Sequence, residues 1–166
     1  MSRHRRHGNG LIGAISAGFF FIVVGFIFLS TPRLVTDIWN FFIDFKTVEI
    51  PNMQNIFLPA PESPQMHASV YQAAWQFSLI WGIFQIAILA LRLFFGSSLD
   101  KKAQTVSDII FSLGTSCLIN MFLNESTTTR LWFTFWSTIL MLLGATLIIR
   151  GAILAAFTER THEFAP

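Results

Sequence analysis

Charged residues are scarce in this sequence. Asp, Glu, Lys and Arg make up 12% of the 166 residues, whereas soluble domains carry roughly 25%. A chain with so little charge must have a largely apolar surface, and its mean hydropathy of +0.58 agrees with this. A soluble protein of this size could not bury all of its 19 phenylalanines. The composition therefore excludes an ordinary soluble domain and indicates a protein whose surroundings are lipid.

Cysteine and catalytic motifs are also lacking. The chain has one cysteine, Cys117, so it cannot form an intramolecular disulfide. This excludes membrane thiol oxidoreductases with paired cysteines and four-span proteins whose outer loop is held by disulfides. The net charge of +2 is too small to suggest binding to nucleic acid. The sequence contains no Walker loop, GxSxG, HExxH or paired carboxylates within an apolar run, so it indicates no class of enzyme.

Histidine is poorly placed for a metal or haem site. Only His67 lies near an apolar run, whereas a transmembrane haem needs histidines well inside two spans and zinc needs three or four ligands. Met53 and Met66 could add soft ligands for copper beside His67, but such residues are ordinarily plain loop residues. We therefore expect no metal and no cofactor. The remaining histidines are His4, His7 and His162.

Four apolar runs are long enough to cross a bilayer, which takes roughly 20 residues per helix. They cover residues 10–29, 68–91, 105–123 and 131–149. Because each span can shield its polar face only against the others, we predict one domain over residues 1–166. The expected fold is all-α, an integral membrane four-helix bundle. A cleaved signal peptide is the competing interpretation of the first run, which exceeds the roughly 7–15 apolar residues of such a segment.

The segment between the first two spans has two parts. Residues 32–45 place apolar side chains on one half of a helical wheel and polar ones on the other. This pattern predicts a short amphipathic helix that lies on the membrane surface or caps the bundle. Residues 46–66 form a loop whose four prolines rule out a long helix. Residues 47–50 and 56–58 are candidates for two short extended pieces.

The distribution of basic residues predicts the orientation. Lys and Arg favour the cytoplasmic side of short loops. Four spans place both chain ends and the turn after the second span on one side, so that side is predicted to be cytoplasmic. The amphipathic helix is then extracytoplasmic, and the basic head is expected to contact anionic lipid headgroups in the cell membrane. The cytoplasmic side holds eight basic residues, Arg3, Arg5, Arg6, Arg92, Lys101, Lys102, Arg150 and Arg160, against Arg33, Lys46 and Arg130 on the other.

Polar residues form one stripe on each of the second and third spans. Each stripe is either the lining of a pocket or pathway, or a face that packs against another helix through hydrogen bonds. The stripe of the second span lies within about 80° of the helical wheel and that of the third within about 140°. They consist of His67, Tyr71, Ser78 and Gln85, and of Asp108, Ser112, Thr115 and Asn120.

Arg92 and Asp108 flank the short turn between these two spans at similar depth. Opposite charges at this position predict an ion pair, and Asp108 is the only acid within the spans. The alternative is that both side chains face the membrane interface and water.

Three functional hypotheses follow from these patterns. The first is a non-catalytic structural or accessory subunit of a membrane complex, whose partners are lipids, further membrane subunits or copies of itself. The second is a small transporter or channel component that uses the facing stripes. The third, an enzyme with a site in the loop before the second span, has the least support because that loop lacks an acid, base and nucleophile set.

Overall fold

The computed structural model describes residues 2–51 and 55–163, with side chains for residues 10–51 and 55–157. These residues form five helices, a two-stranded hairpin and a 3-10 turn at Pro64–His67. The helices are α1 (Ser2–Ser30), α2 (Leu34–Ile43), α3 (Ala68–Phe94), α4 (Leu99–Phe122) and α5 (Thr129–Glu163). The strands are β1 (Phe45–Glu49) and β2 (Phe57–Pro61).

Four helical segments are long and apolar enough to cross a membrane, and they fit a multi-pass membrane protein. They are Gly10–Ser30, Pro64–Phe94, Leu99–Phe122 and Thr129–Phe157. The helices run past the predicted span ends, because apolar runs mark only the part that lipid would cover. α4 begins six residues before residue 105, with Asp100 in its first turn, where the helix dipole favours a carboxylate.

The long helices lie in a row. α3 packs against α1 on one side and α4 on the other, and α4 packs against α5. A closed four-helix bundle would also pair the two outer helices. Among the described residues, α1 and α5 make at most isolated contacts with each other. The closed membrane bundle stays a prediction, and the described contacts join the long helices in the order α1, α3, α4 and α5.

Close packing joins the middle helices. A Cβ atom at Gly82 of α3 would lie 2.6 Å from Leu113 Cδ2 and 3.3 Å from the Leu113 backbone nitrogen, so only glycine allows α4 to approach this closely. On the other side of α4, the Ser107 hydroxyl donates to the Thr146 carbonyl oxygen of α5 at 3.1 Å. A side chain on α4 thus adds a hydrogen bond to helix packing inside the apolar zone.

The described residues are mostly helical, as the all-α prediction expects, and the loop before the second span adds a β-hairpin that this prediction did not include. β1 pairs antiparallel with β2, from Phe45 opposite Pro61 to Glu49 opposite Phe57. The two expected extended pieces, residues 47–50 and 56–58, overlap the two strands of this hairpin. Together with α2 and the 3-10 turn, the hairpin forms what we call the cap (residues 34–51 and 55–67).

Alternation along β2 explains why prolines are tolerated there. The Glu62 N–H donates to Asp44 O at one end of the ladder, and the Ile50 N–H donates to Ile56 O at the other. The backbone N–H and C=O groups of the even-numbered residues therefore point to the partner strand. Pro59 and Pro61 are odd-numbered, so their missing N–H groups would have pointed outward, as is usual for proline in an edge strand.

Gly82→Ala tests the packing of α3 on α4. Overpacking in a filled core costs about 1–3 kcal/mol, while alanine recovers about 1 kcal/mol of helix propensity. We expect the melting temperature of the purified protein in detergent to fall. Gly144→Ala is the control, because a Cβ at Gly144 would meet no atom within 4 Å. If both variants melt at the same temperature, the close approach at Gly82 is wrong.

Candidate functional site

The two predicted polar stripes meet in a groove of about 450 Å³ between α3 and α4. Ser78 and Gln85 contribute from α3, and Asp108, Ser112 and Thr115 contribute from α4. We call this the mid-span groove, because its residues lie in the middle part of both apolar segments. Three aromatic residues complete its wall: Phe77, Trp81 and Phe111.

Hydrogen bonding within the mid-span groove is incomplete. The Ser78 hydroxyl donates to the Ala74 carbonyl of its own helix at 2.9 Å, and Asp108 Oδ1 accepts from Gln104 Nε2 at 2.9 Å. Thr115 Oγ1, in contrast, is buried and has no hydrogen-bond partner among the described residues. The groove wall therefore contains a buried polar atom that has no partner in the described part of the chain.

The remaining stripe residues lie nearer the cap. Tyr71 and Asn120 line a second and larger cleft of about 590 Å³ at the cap end of α3 and α4, which we call the cap-end cleft. His67 lies inside the cap, with 7% of its surface exposed. The stripes thus do not form one continuous lining. The structure divides them between the mid-span groove, the cap-end cleft and the cap interior.

Asp44 holds the cap together. Its Oδ2 accepts hydrogen bonds from His67 Nε2 and from the Ser63 backbone N–H, both at 2.9 Å. Its backbone carbonyl accepts from the Glu62 N–H, also at 2.9 Å. A carboxylate can only accept, so Nε2 is the protonated nitrogen of His67. Asp44, the residue that follows α2, therefore joins that helix to the base of the hairpin and to the start of α3.

These contacts stabilise the charged form of Asp44. Desolvation alone would raise its pKa, but the hydrogen bonds from His67 and Ser63, with the charges of His67 and Lys46, together hold the pKa below 3.8. Folding therefore favours the carboxylate over the acid. Its contribution to stability is complete at pH values above the ordinary pKa of Asp and is lost as the pH falls through the lower pKa of the folded state.

An aromatic cluster surrounds this contact. The ring of Phe41 lies 5.2 Å from His67, 6.1 Å from Tyr71 and 5.9 Å from Trp132, measured between centroids, and each pair meets edge to face. This geometry is the favourable one for aromatic rings. The cluster brings α2, α3 and α5 together at the cap end, although α5 is the outermost helix of the row.

Arg92 and Asp108 have different partners from the ones expected. Arg92 donates to the Lys101 carbonyl and to the Thr105 hydroxyl, while Asp108 is bonded to Gln104. No ion pair joins Arg92 to Asp108 in the described part of the chain. Arg92 reaches only the first turns of α4, one turn short of Asp108. Arg150, near the end of the apolar part of α5, pairs with Asp100 at 2.9 Å.

Sequence reasoning missed the partners of several acids. Asp37 accepts from the Ser69 hydroxyl at 2.8 Å, which ties α2 to α3, and Glu62 pairs with Lys46 across the hairpin. The helical pattern of residues 32–45 places Asp37 and Asp44 on the polar half of the wheel. Their spacing of seven residues, two helical turns, was the available signal that both face one neighbour.

No three His, Cys, Asp or Glu side chains in the described ranges lie close enough together to hold a metal ion. The side chains of His4, His7 and His162, like Met53, are outside those ranges. Comparison with family models, curated proteins and solved structures finds no match. The functional proposals below therefore depend on the mid-span groove, the cap-end cleft and the cap.

Asp44→Ala should loosen the cap. Loss of two hydrogen bonds to a charged acceptor costs about 2 kcal/mol or more, so hydrogen exchange of the hairpin amides at pH 7 should become at least about tenfold faster. In the unaltered protein, the near-UV circular dichroism of the aromatic cluster should weaken only as the pH falls below 3.8, the ordinary pKa of the carboxyl.

Asn40→Ala is the matched control, because Asn40 is exposed on the same helix. Hairpin exchange that is equally fast in the Asp44→Ala variant and in this control would contradict the role given to Asp44.

Proposed function

We propose that this chain is a non-catalytic structural or accessory subunit of a complex in the cell membrane. Another transmembrane helix, from a further subunit or a second copy of the chain, would fill the mid-span groove. The observation that carries this proposal is the buried Thr115 hydroxyl without a partner among the described residues. Lipid tails offer no hydrogen bond, so such a group favours a polar neighbour from another protein.

Other hydroxyls in the spans show what Thr115 lacks. Serine and threonine in membrane helices commonly donate to the carbonyl four residues earlier. Thr134, Ser137 and Thr138 of α5 all do so, at 2.8–2.9 Å, and these three side chains are suited to lipid. Thr115 makes no such bond. Together with the amide of Gln85 and the carboxyl of Asp108, it gives the groove a polar character unsuited to lipid tails.

The open row of helices also supports a role as a subunit. α1 packs mainly against α3 and α5 mainly against α4, and only 6% of the most apolar window of α5 is buried. Lipid can cover apolar side chains, so exposure alone requires no partner. A neighbouring subunit would cover the free faces of these helices and also fill the polar mid-span groove.

Exposed apolar side chains on α2 favour contact between the cap and the membrane surface. Val35, Trp39, Phe42 and Ile43 are each more than 60% exposed, and their spacing places them on one face of the helix. A short helix with such a face is suited to lie between headgroups and acyl chains. The cap would then rest on the extracytoplasmic surface, as the charge distribution predicts.

Cross-linking from the groove tests the proposal. The only cysteine, Cys117, is exposed, so a Cys117→Ser background allows one probe site at a time. A photoactivatable maleimide at Ser78→Cys, in native membranes, should give a discrete product that contains a second polypeptide. Leu140→Cys on the exposed side of α5 is the control and should give only lipid adducts.

Thr115→Val removes the hydroxyl and preserves the shape of the side chain. It should lower the yield of the Ser78→Cys product about three- to eighteenfold, since interhelical hydrogen bonds in membranes contribute roughly 0.6–1.7 kcal/mol. Thr138→Val should leave the yield unchanged. If Ser78→Cys and Leu140→Cys both give lipid adducts alone, the role as a subunit loses its support.

A small transporter or channel component is the second candidate. The observation in its favour is that polar groups from both stripes line one groove of about 450 Å³, within the usual size of a small-molecule site. Purified protein in vesicles should then conduct or exchange a solute, and Gln85→Leu should reduce that flux. A structural subunit would show no flux to reduce.

The proposed orientation has its own test. With both termini in the cytoplasm, a C-terminal fusion to a reporter that is active only in the cytoplasm should be active. A fusion to a reporter that requires export should be silent. The opposite pair of results would invert the topology and place the cap on the cytoplasmic side.

A further inference from the structure

The cap-end cleft has a chemistry different from that of the mid-span groove. It lies between the cap ends of α3 and α4 and the turn that follows α4. Two aromatic residues, Tyr71 and Trp75, line it together with the side-chain amides of Gln72 and Asn120 and the carboxylate of Glu125. Its volume of about 590 Å³ is in the usual range for a bound small molecule.

The charge of this cleft has one sign. Among the described residues that line the cleft, Glu125 carries the only fixed charge, and none is a lysine or an arginine. None of the three ion pairs in the described ranges involves Glu125. An anionic ligand would therefore be repelled here, while an organic ammonium group would gain both the carboxylate and the faces of the aromatic rings.

Tyr71 adds a second and independent indication of a ligand. The residue lines the cleft, only 4% of its surface is exposed, and its hydroxyl has no hydrogen-bond partner among the described side chains and backbone. A buried hydroxyl without a partner is costly. A ligand with an acceptor oxygen beside its ammonium group would supply that partner, and the amides of Gln72 and Asn120 can bond further oxygens.

The position in the fold indicates where such a ligand comes from. The cleft lies at the ends of two apolar spans, where Trp and Tyr favour the boundary between headgroups and acyl chains. Phospholipid headgroups occupy the same depth. Phosphatidylethanolamine carries an ammonium group close to phosphate and ester oxygens, which is the combination that the cleft would accommodate.

We propose that the cap-end cleft binds an organic ammonium group with neighbouring acceptor oxygens, with the headgroup of phosphatidylethanolamine as the source. Glu125 holds the ammonium, Trp75 covers it, and Tyr71 with the two amides bonds the oxygens. This site is separate from the mid-span groove, so it does not depend on whether a partner helix fills that groove.

Lipid binding to the delipidated, full-length protein in detergent tests this assignment. Native mass spectrometry would compare phosphatidylethanolamine with phosphatidylglycerol of the same acyl chains, which lacks the ammonium. We expect the former to bind at least about tenfold more tightly, since hydrogen bonds to charged groups contribute roughly 1.5–3 kcal/mol. Glu125→Gln should abolish this preference, and Tyr71→Phe should weaken phosphatidylethanolamine binding about threefold, the loss of one neutral hydrogen bond.

Glu49→Gln is the matched control, because it neutralises an exposed carboxylate in the hairpin outside the cleft, and it should keep the preference. Water-soluble glycerophosphoethanolamine distinguishes the source of the ammonium. If this solute competes at concentrations similar to those of the lipid, the natural ligand is a solute and the lipid source is wrong. If it does not compete, the ammonium group comes from the membrane. Equal affinity for the two lipids, or a preference that survives Glu125→Gln, would overturn the site.

Discussion

The structure depends on the close contact between α3 and α4. Gly82 lets the two helices approach until Leu113 fills the space that a side chain would occupy. Both clefts lie along this pair of helices, and α1 and α5 are attached to its two sides. If α3 and α4 separated or rotated, the two polar stripes would face lipid, where unsatisfied polar groups are costly. The same contact thus sets the packing of the row and the position of both candidate sites.

The cap needs other contacts, because most of its backbone lies outside the four apolar segments and it has little core of its own. Asp44 provides the link, since one residue bonds the hairpin base, the 3-10 turn and His67. The aromatic cluster around Phe41 then packs the cap against α3 and α5. This arrangement also shapes the cap-end cleft, because Tyr71 belongs both to the cluster and to the cleft wall.

Sequence patterns predicted the parts of the molecule that follow from local physics. Long apolar runs predicted the four helices that are long and apolar enough to cross a membrane. Helical periodicity grouped the polar residues of two of them, and one groove is lined by Ser78, Gln85, Asp108, Ser112 and Thr115. The hairpin was anticipated only as two extended pieces, because strand pairing depends on Asp44 and Glu62, which are 18 positions apart. The partners of Arg92 and Asp44 were missed for the same reason. Ion pairs between elements depend on helix rotation and depth to within one turn, which hydropathy does not define.

We propose above all that another polypeptide completes the polar mid-span groove. The most direct measurement is the mass of the particle released when native membranes are extracted into polymer nanodiscs, with a tag on the full-length chain. The account predicts a particle in which this 18.8 kDa chain is present in fixed ratio with a second membrane polypeptide or with further copies of itself. A particle that contains one copy of the chain and lipid alone would contradict it.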